Sequence, residues 1–348
     1  MSKMKIIQLA REVVMGPNVL KRVGEVCGRL CPGKNAFLVA DEKTFTIAGS
    51  KIQRQLKNAG YKVNHSLIKE ADMPTINRVR AASRKKADFF VGVGGGRAID
   101  VAKLVSFQEG KPFVSVPTAA SHDGIASSMA SIKGGKKPTS VETHAPIAIV
   151  ADTLVIKRAP HKLLAAGCGD LVSNLTAVRD WQLAHQVTKE PYSEYAATLA
   201  LVSARLVLDN AEMIKEHSEE SVRKVVKALI SSSVAMAIAG SSRPASGSEH
   251  LFSHALNLVA PKPALHGEQC GVGAIMMAYL QGEDWKAIQN ALKTVGAPTN
   301  AEELGIKGEH IVKALTMAHK IRPERHTVIS AGLDRKTAKH LAEVTEVI

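Results

Sequence analysis

The sequence predicts two domains, an α/β domain built on a parallel sheet followed by an all-α domain. Three observations predict them. Over the first ~150 residues short β-rich apolar runs alternate with amphipathic segments, the pattern of parallel strands joined by crossover helices. From about Pro160 onward the strands give way to Ala- and Leu-rich stretches at helical period. Finally, 348 residues are too many for one small core. We set the domains at residues 1–158 and 159–348.

The strand candidates are NAFLVAD (Asn35 to Asp41), ADFFVGVGGG (Ala87 to Gly96), PFVSVPT (Pro112 to Thr118) and IAIVAD (Ile147 to Asp152). Thr44 to Gly60 and Thr75 to Lys86 carry apolar positions at helical spacing between them. Lys133 to Pro146, rich in Gly, Pro, Thr and Lys, reads as a loop excursion before the last strand. In the second half, Tyr192 to Asn210 and Ser221 to Gly240 read as long helices. The apolar run Ala228 to Gly240 is well short of a membrane span and is broken by Ser231, Ser232 and Ser233, so it reads as a buried helix.

Composition narrows the class. The chain is 45% hydrophobic and 22% charged, as soluble globular proteins are, and its start carries no signal-peptide pattern. Four scattered cysteines make neither a disulfide scaffold nor a paired zinc ribbon, so a reducing, cytoplasmic setting is expected. The net charge of +14 raises nucleic acid as a partner, but the basic residues are spread along the chain and only 4% of residues are aromatic. An anionic small substrate uses such a field equally well.

VGVGGGRAIDVAKLV (Val91 to Val105) reads as strand, glycine turn, helix. Glycines there let backbone approach a ligand closely, and the helix N-terminus favours phosphate, so a pyrophosphate site is predicted, against the alternative of a tight turn without ligand. The usual dinucleotide fingerprint is not met, because Arg97 stands where the third glycine would fall. The loop after the next strand, SVPTAASHDGIASS (Ser115 to Ser128), is crowded with Thr118, Ser121, His122, Asp123, Ser127 and Ser128. Loops at the carboxyl ends of neighbouring parallel strands meet over one crevice, so both should line one site. Asp41, ending a strand, is placed to accept from a ribose hydroxyl or to cap the following helix.

The other constellation is GSEHLFSHALNLVAPKPALHGEQ, residues 247 to 269. His250 and His254 fall one turn apart on a helix, and His266 opens another after Pro261 and Pro263. Metal ligation needs a further donor, and Asp170, at the opening of a helix after two glycines, is the acidic candidate. An N-cap role for Asp170 and a core role for His254 are the structural alternatives.

Taken together, Gly94-Gly95-Gly96-Arg97-Ala98-Ile99-Asp100, PTAASHDGIAS, GCGDLVSN, GSEHLFSHAL and LHGEQ resemble the archaeal-type sn-glycerol-1-phosphate dehydrogenases, within the dehydroquinate synthase-like and metal-dependent alcohol dehydrogenase superfamily. The resemblance runs over nearly the whole chain. It implies an α/β dinucleotide-binding domain, an all-α metal-binding domain and an active site in the cleft between them. It implies a metal on Asp170, His250 and His266, and NAD(H) or NADP(H) held by Gly94, Gly95, Gly96, Arg97 and Ala98, by Thr118, Ala119, Ala120 and Ser121, and by Ser127. It gives Asp123, Asp170 and His254 to the substrate and to catalysis. Asn174 stands where the superfamily's iron enzymes carry a further histidine, so Zn2+ is favoured over iron.

The implied reaction is reduction of dihydroxyacetone phosphate to sn-glycerol 1-phosphate, for membrane lipid synthesis, by a cytoplasmic homo-oligomer acting on small molecules and not on nucleic acid or as an integral membrane protein. Arg243, Lys262 and Lys133 lie near the motifs as candidates for the substrate phosphate. The rival readings are a glycerol or polyol dehydrogenase without a phosphate pocket, a dehydroquinate synthase-like lyase that recycles its NAD, and a basic binding protein without catalysis.

Overall fold

The computed structural model describes residues 7–134 and 137–348. The chain divides into two compact units, Met1–Pro160 and His161–Ile348.

In the first unit the strands are β1 (Glu12–Gly16), β2 (Asn35–Ala40), β3 (Lys62–Leu67), β4 (Phe89–Gly94), β5 (Phe113–Pro117), β6 (Met129–Gly134), β7 (Lys137–Glu142) and β8 (Ala148–Asp152). Six of them form one parallel sheet in the order β1-β8-β5-β4-β2-β3. Central strands must be apolar on both faces, and β4 is buried at every position. Leu38, Val91, Val93, Val114 and Val116 turn one face of the sheet toward Val23, Val26, Ile52 and Leu56, which come from the helices Val23–Leu30 and Ser50–Asn58.

Two strands of this sheet, β1 and β3, and the separate pair β6 and β7 escape the four-strand expectation. Strand β3 sits at the edge and exposes Lys62, Asn64, His65 and Leu67, so it has no apolar run to read. The segment from Lys133 to Pro146, expected as a loop, is mostly the antiparallel hairpin of β6 and β7, with residues 135 and 136 outside the described residues. Its strand signal lies just upstream, where buried Ala130 and Ile132 alternate with exposed Ser131 and Lys133.

The order reverses between β2 and β4, whose successors lie on opposite sides, and ligands of open parallel sheets bind beyond the carboxyl ends of strands at such a point. The Gly94 turn leaves β4 there and leads into the helix Gly96–Gln108. That helix is anchored by Lys103, which is fully buried. Its Nζ donates to the carbonyls of Gly124 (2.8 Å) and Met129 (2.6 Å) and lies 3.4 Å from Asp100 Oδ1, while Asp100 Oδ2 accepts the Ser131 N–H. Burial pushes the Asp100 carboxyl up to about 6 against the pull of Lys103, and pushes the Lys103 ammonium down. Removing one partner of such a pair strands the other, so Lys103→Met is expected to cost about 3–5 kcal/mol in denaturant unfolding. A loss under ~1 kcal/mol would mean that the pair is dispensable.

The second unit is helical: His161–Val172, Asn174–Thr188, Glu194–Asp209, Glu219–Ala239, Ser248–Val259, His266–Leu280, Trp285–Thr294, Gly308–Ala318 and Arg335–Val344. Side chains set several of the ends. Ser193, Asp284 and Asp334 cap by accepting an N–H three residues on, Ser218 and Ser221 form a capping box, and Gly240 ends its helix in the left-handed region at φ 66°. Helices His161–Val172 and His266–Leu280 cross at glycines. A Cβ built on Gly169 would lie 2.2 Å from the Gly267 carbonyl oxygen. Among the described residues, no helix is long and apolar enough to cross a membrane.

Candidate functional site

In the first unit the two loops singled out by sequence come together at one end of the sheet. Strands β4 and β5 are neighbours with Gly94 opposite Pro117, and the Thr118 N–H donates to the Gly94 carbonyl at 3.0 Å. Gly94 has φ +152°, and a Cβ on it would press on Ala98 and Thr44. Nothing lies within 4 Å of where a Gly95 Cβ would be, and no side chain caps the helix start at that residue. An uncapped helix start with open space beside Gly95 is the arrangement that suits a phosphate. His122 packs against the other side of this turn, since a Cβ at Gly96 would lie 2.1 Å from its Nε2.

The remaining first-unit candidates take different surroundings. Ala98, Thr118, Ala119, Ala120 and Ser127 are buried, Ser121 and Asp123 half-buried. Arg97 is exposed and donates to the Lys69 carbonyl at 2.8 Å. Asp123 opens the short turn Asp123–Ile125, its carbonyl accepts from Ala126 and Ser127, and its charge reaches Lys103. Asp41 forms a capping box with Thr44, with Oδ1 2.8 Å from the Thr44 N–H.

In the second unit, Asp170, His250 and His266 converge. Asp170 does not open a helix as expected; it lies near the end of His161–Val172. Gly167 and Gly169 are inside that helix, and Gly169 is there to admit the neighbouring backbone. Asp170 Oδ1 is 3.8 Å from His250 Nε2 and 3.7 Å from His266 Nε2, too far for hydrogen bonds. His250 and His254 lie one turn apart on Ser248–Val259, and His266 is the first residue of its helix.

Hydrogen bonds fix which imidazole nitrogens carry protons. Glu249, fully buried, receives the Gly247 N–H on Oε1 at 2.6 Å, and the same oxygen is 2.8 Å from His250 Nδ1. His250 therefore donates through Nδ1. The Ser253 hydroxyl gives its proton to Gln269 Oε1 at 3.1 Å, because the Gln269 amide nitrogen is engaged with Asn257 and Ala264. Hence Ser253 Oγ accepts from His266 Nδ1 at 3.3 Å. Both Nε2 lone pairs then face a carboxylate oxygen. Burial first, then neighbouring positive charge, holds His250 and His254 well below the usual histidine range.

Three Lewis bases thus meet with separations close to the roughly 3.3–3.8 Å edges of a tetrahedral zinc site. Cys270, one turn beyond His266 and buried, brings its thiol within the same group, all four donor atoms lying within 4.8 Å of one another. The sequence reading passed over Cys270, although its spacing from His266 was the available signal, and also Glu249, whose direction no pattern reveals. His254 stacks on His266 with ring centroids 6.0 Å apart, and its buried Nδ1 has no hydrogen-bond partner among the described residues. Asn174 points away from the cluster and donates to Ala200 O and Ser232 Oγ.

Of the three basic candidates, Arg243 is buried and spent on Glu190 and the His326 carbonyl. Lys133 pairs with Glu70 at 2.6 Å, and Lys262 is exposed.

Residues 14–160 match the family described as iron-containing alcohol dehydrogenase. The chain is 54% identical to glycerol-1-phosphate dehydrogenase [NAD(P)+] of Thermococcus sibiricus, over 99% of both chains. It is 52% identical to the protein of the same name from Pyrococcus furiosus, over 99% of this chain and 100% of that one. Among solved structures, glycerol dehydrogenase from Schizosaccharomyces pombe shares the fold, with TM-score 0.83 at 21% identity over 99% of this chain and 91% of that one.

Proposed function

This chain belongs to the glycerol-1-phosphate dehydrogenase family, and we infer that it is an oxidoreductase that reduces dihydroxyacetone phosphate to sn-glycerol 1-phosphate with NADH or NADPH. The whole-length identity to dehydrogenases of that name carries the substrate. The convergence of Asp170, His250 and His266 supports the chemistry.

In this reading Asp170, His250 and His266 hold Zn2+, and the Cys270 thiol beside them adds the softness that suits zinc. Gly94 to Ala98, Thr118 to Ser121 and Ser127 hold the dinucleotide. When bound, the metal polarises the C2 carbonyl of the substrate and the reduced nicotinamide supplies the hydride. The first-turn N–H groups of Gly96–Gln108 receive the diphosphate, and the Lys103 anchor keeps the Asp123 turn in place behind them. Asp123, Asp170 and His254 orient the substrate. The enzyme works as a cytoplasmic homo-oligomer on a small molecule, without nucleic acid, and its product enters archaeal membrane phospholipid synthesis.

Glu249 has a positioning role here. By accepting from Nδ1 it turns the His250 Nε2 lone pair toward the metal and raises its basicity. Glu249→Gln keeps the acceptor and loses the charge, so zinc affinity should fall roughly tenfold, and Glu249→Leu, losing both, roughly a hundredfold. Competition with a chromogenic chelator measures this, with the melting temperature of stripped protein as control; unchanged zinc affinity in both variants would remove Glu249 from the site.

The function is tested by comparing kcat/KM for dihydroxyacetone phosphate and for dihydroxyacetone with NADH and with NADPH. A strong preference for the phosphate is expected. A preference for the unphosphorylated ketone would make the chain a polyol dehydrogenase, and no net nicotinamide oxidation with either ketone would point to the lyase.

A further inference from the structure

The loop after helix Gly308–Ala318 is tied to the loop that leads into the His250 helix. Arg325 donates through one terminal nitrogen to the Ser246 carbonyl at 2.6 Å and through the other to Ser242 Oγ at 2.8 Å. Arg243, from the opposite side of the same junction, donates to the His326 carbonyl at 2.9 Å and is neutralised by Glu190. The Arg325 N–H closes a turn on the Arg322 carbonyl at 3.0 Å, which fixes Arg322 relative to this latch.

The charges on the latch are not balanced. Arg243 has its carboxylate, whereas half-buried Arg325 is held by neutral acceptors, its guanidinium pushed down to about 10 by burial and by Arg243 and Arg322. Arg322 is half-buried, and its side chain makes no hydrogen bond or ion pair among the described residues. The charges of Arg322 and Arg325 both reach the rings of His250 and His254. A half-buried guanidinium without a side-chain partner, one turn from a second that is latched to the loop leading into the His250 helix, is a site for a doubly charged anion.

We propose that Arg322, with Arg325 fixed behind it, grips the substrate's phosphate and makes the enzyme specific for a phosphorylated three-carbon ketone over the free one. This rests on the dehydrogenase reading above and supplies the cation that Arg243, Lys262 and Lys133 do not.

The test is Arg322→Ala and Arg322→Lys in the zinc-loaded enzyme, with kcat/KM for dihydroxyacetone phosphate and dihydroxyacetone, and inorganic phosphate as a competitive inhibitor. The ratio of the two kcat/KM values should fall roughly a hundredfold in Arg322→Ala, mainly through KM for the phosphate ester, and inhibition by phosphate should weaken in parallel. Lysine should restore part of the ratio, as a point charge without the fork. A ratio within threefold of the wild type, or an equal loss on both ketones, overturns the proposal. If the wild type itself shows no preference for the phosphate ester, the function falls, and the arginine is then judged by phosphate inhibition alone. Inhibition present in the wild type and lost in Arg322→Ala keeps the anion site; inhibition absent or unaltered removes it.

Discussion

Asp170→Ala should leave a folded protein that binds NADH as before and has lost both its zinc and its activity. The carboxylate is the only acid among the four donor atoms, and the two imidazole lone pairs are aimed at its Oδ1. Without it the site keeps two neutral imidazoles and a thiol 3.6 and 3.8 Å from the His266 nitrogens. Lewis-acid polarisation supplies several kcal/mol to carbonyl reduction and each ~1.4 kcal/mol is tenfold, so kcat/KM should fall roughly a thousandfold or more. The melting temperature of the stripped variant, set against that of the stripped wild type, separates loss of the metal from loss of the fold. Metal content by mass spectrometry and NADH titration check the two halves of the expectation; retention of zinc at wild-type affinity would take Asp170 out of the ligand set.

Gly169→Ala should be the most damaging small change in the helical unit. Alanine is favoured over glycine inside a helix by roughly 1 kcal/mol, and an open site would show that gain. Here the new Cβ would lie 2.2 Å from the Gly267 carbonyl oxygen and 3.0 Å from its carbon, both backbone atoms that no rotamer change can move. The helices must separate, and overpacking of this kind costs about 1–3 kcal/mol, occasionally more, so net destabilisation of about 2 kcal/mol is expected by denaturant unfolding. Asp170 follows Gly169 and His266 precedes Gly267, so separation also spreads the metal ligands and zinc affinity should drop with stability. Gly28→Ala is the control. It too is helical, but the nearest atom to its new Cβ is the Tyr61 hydroxyl at 3.9 Å, so it should be neutral or slightly stabilising. Equal effects of the two substitutions would mean that the crossing tolerates a methyl group.

Local patterns carried much of the architecture. The strand-turn-helix at Val91 to Val105 was legible because strand, glycines and amphipathic helix are contiguous, and the i, i+4 pair His250 and His254 because helical period survives in sequence. What escaped depends on partners distant in the chain. Glycines 167 and 169 read as a break before a helix; both lie in a helix interior, and Gly169 is pressed on another backbone about a hundred residues later. The edge strand β3 has polar residues where a buried strand would be apolar. Lys103 looks like a surface lysine until the Gly124 and Met129 carbonyls are seen around its ammonium, and Arg325 is tied to the His250 loop by contacts 79 and 83 residues apart in sequence.

The most direct measurement is addition of zinc to chelator-stripped enzyme in the presence of dihydroxyacetone phosphate with NADH or NADPH, followed by chiral analysis of the product. No oxidation before zinc, and oxidation after it that yields only sn-glycerol 1-phosphate, is the predicted result. Full activity in the stripped enzyme, silence in the zinc-loaded one, or the opposite enantiomer as product would contradict the account.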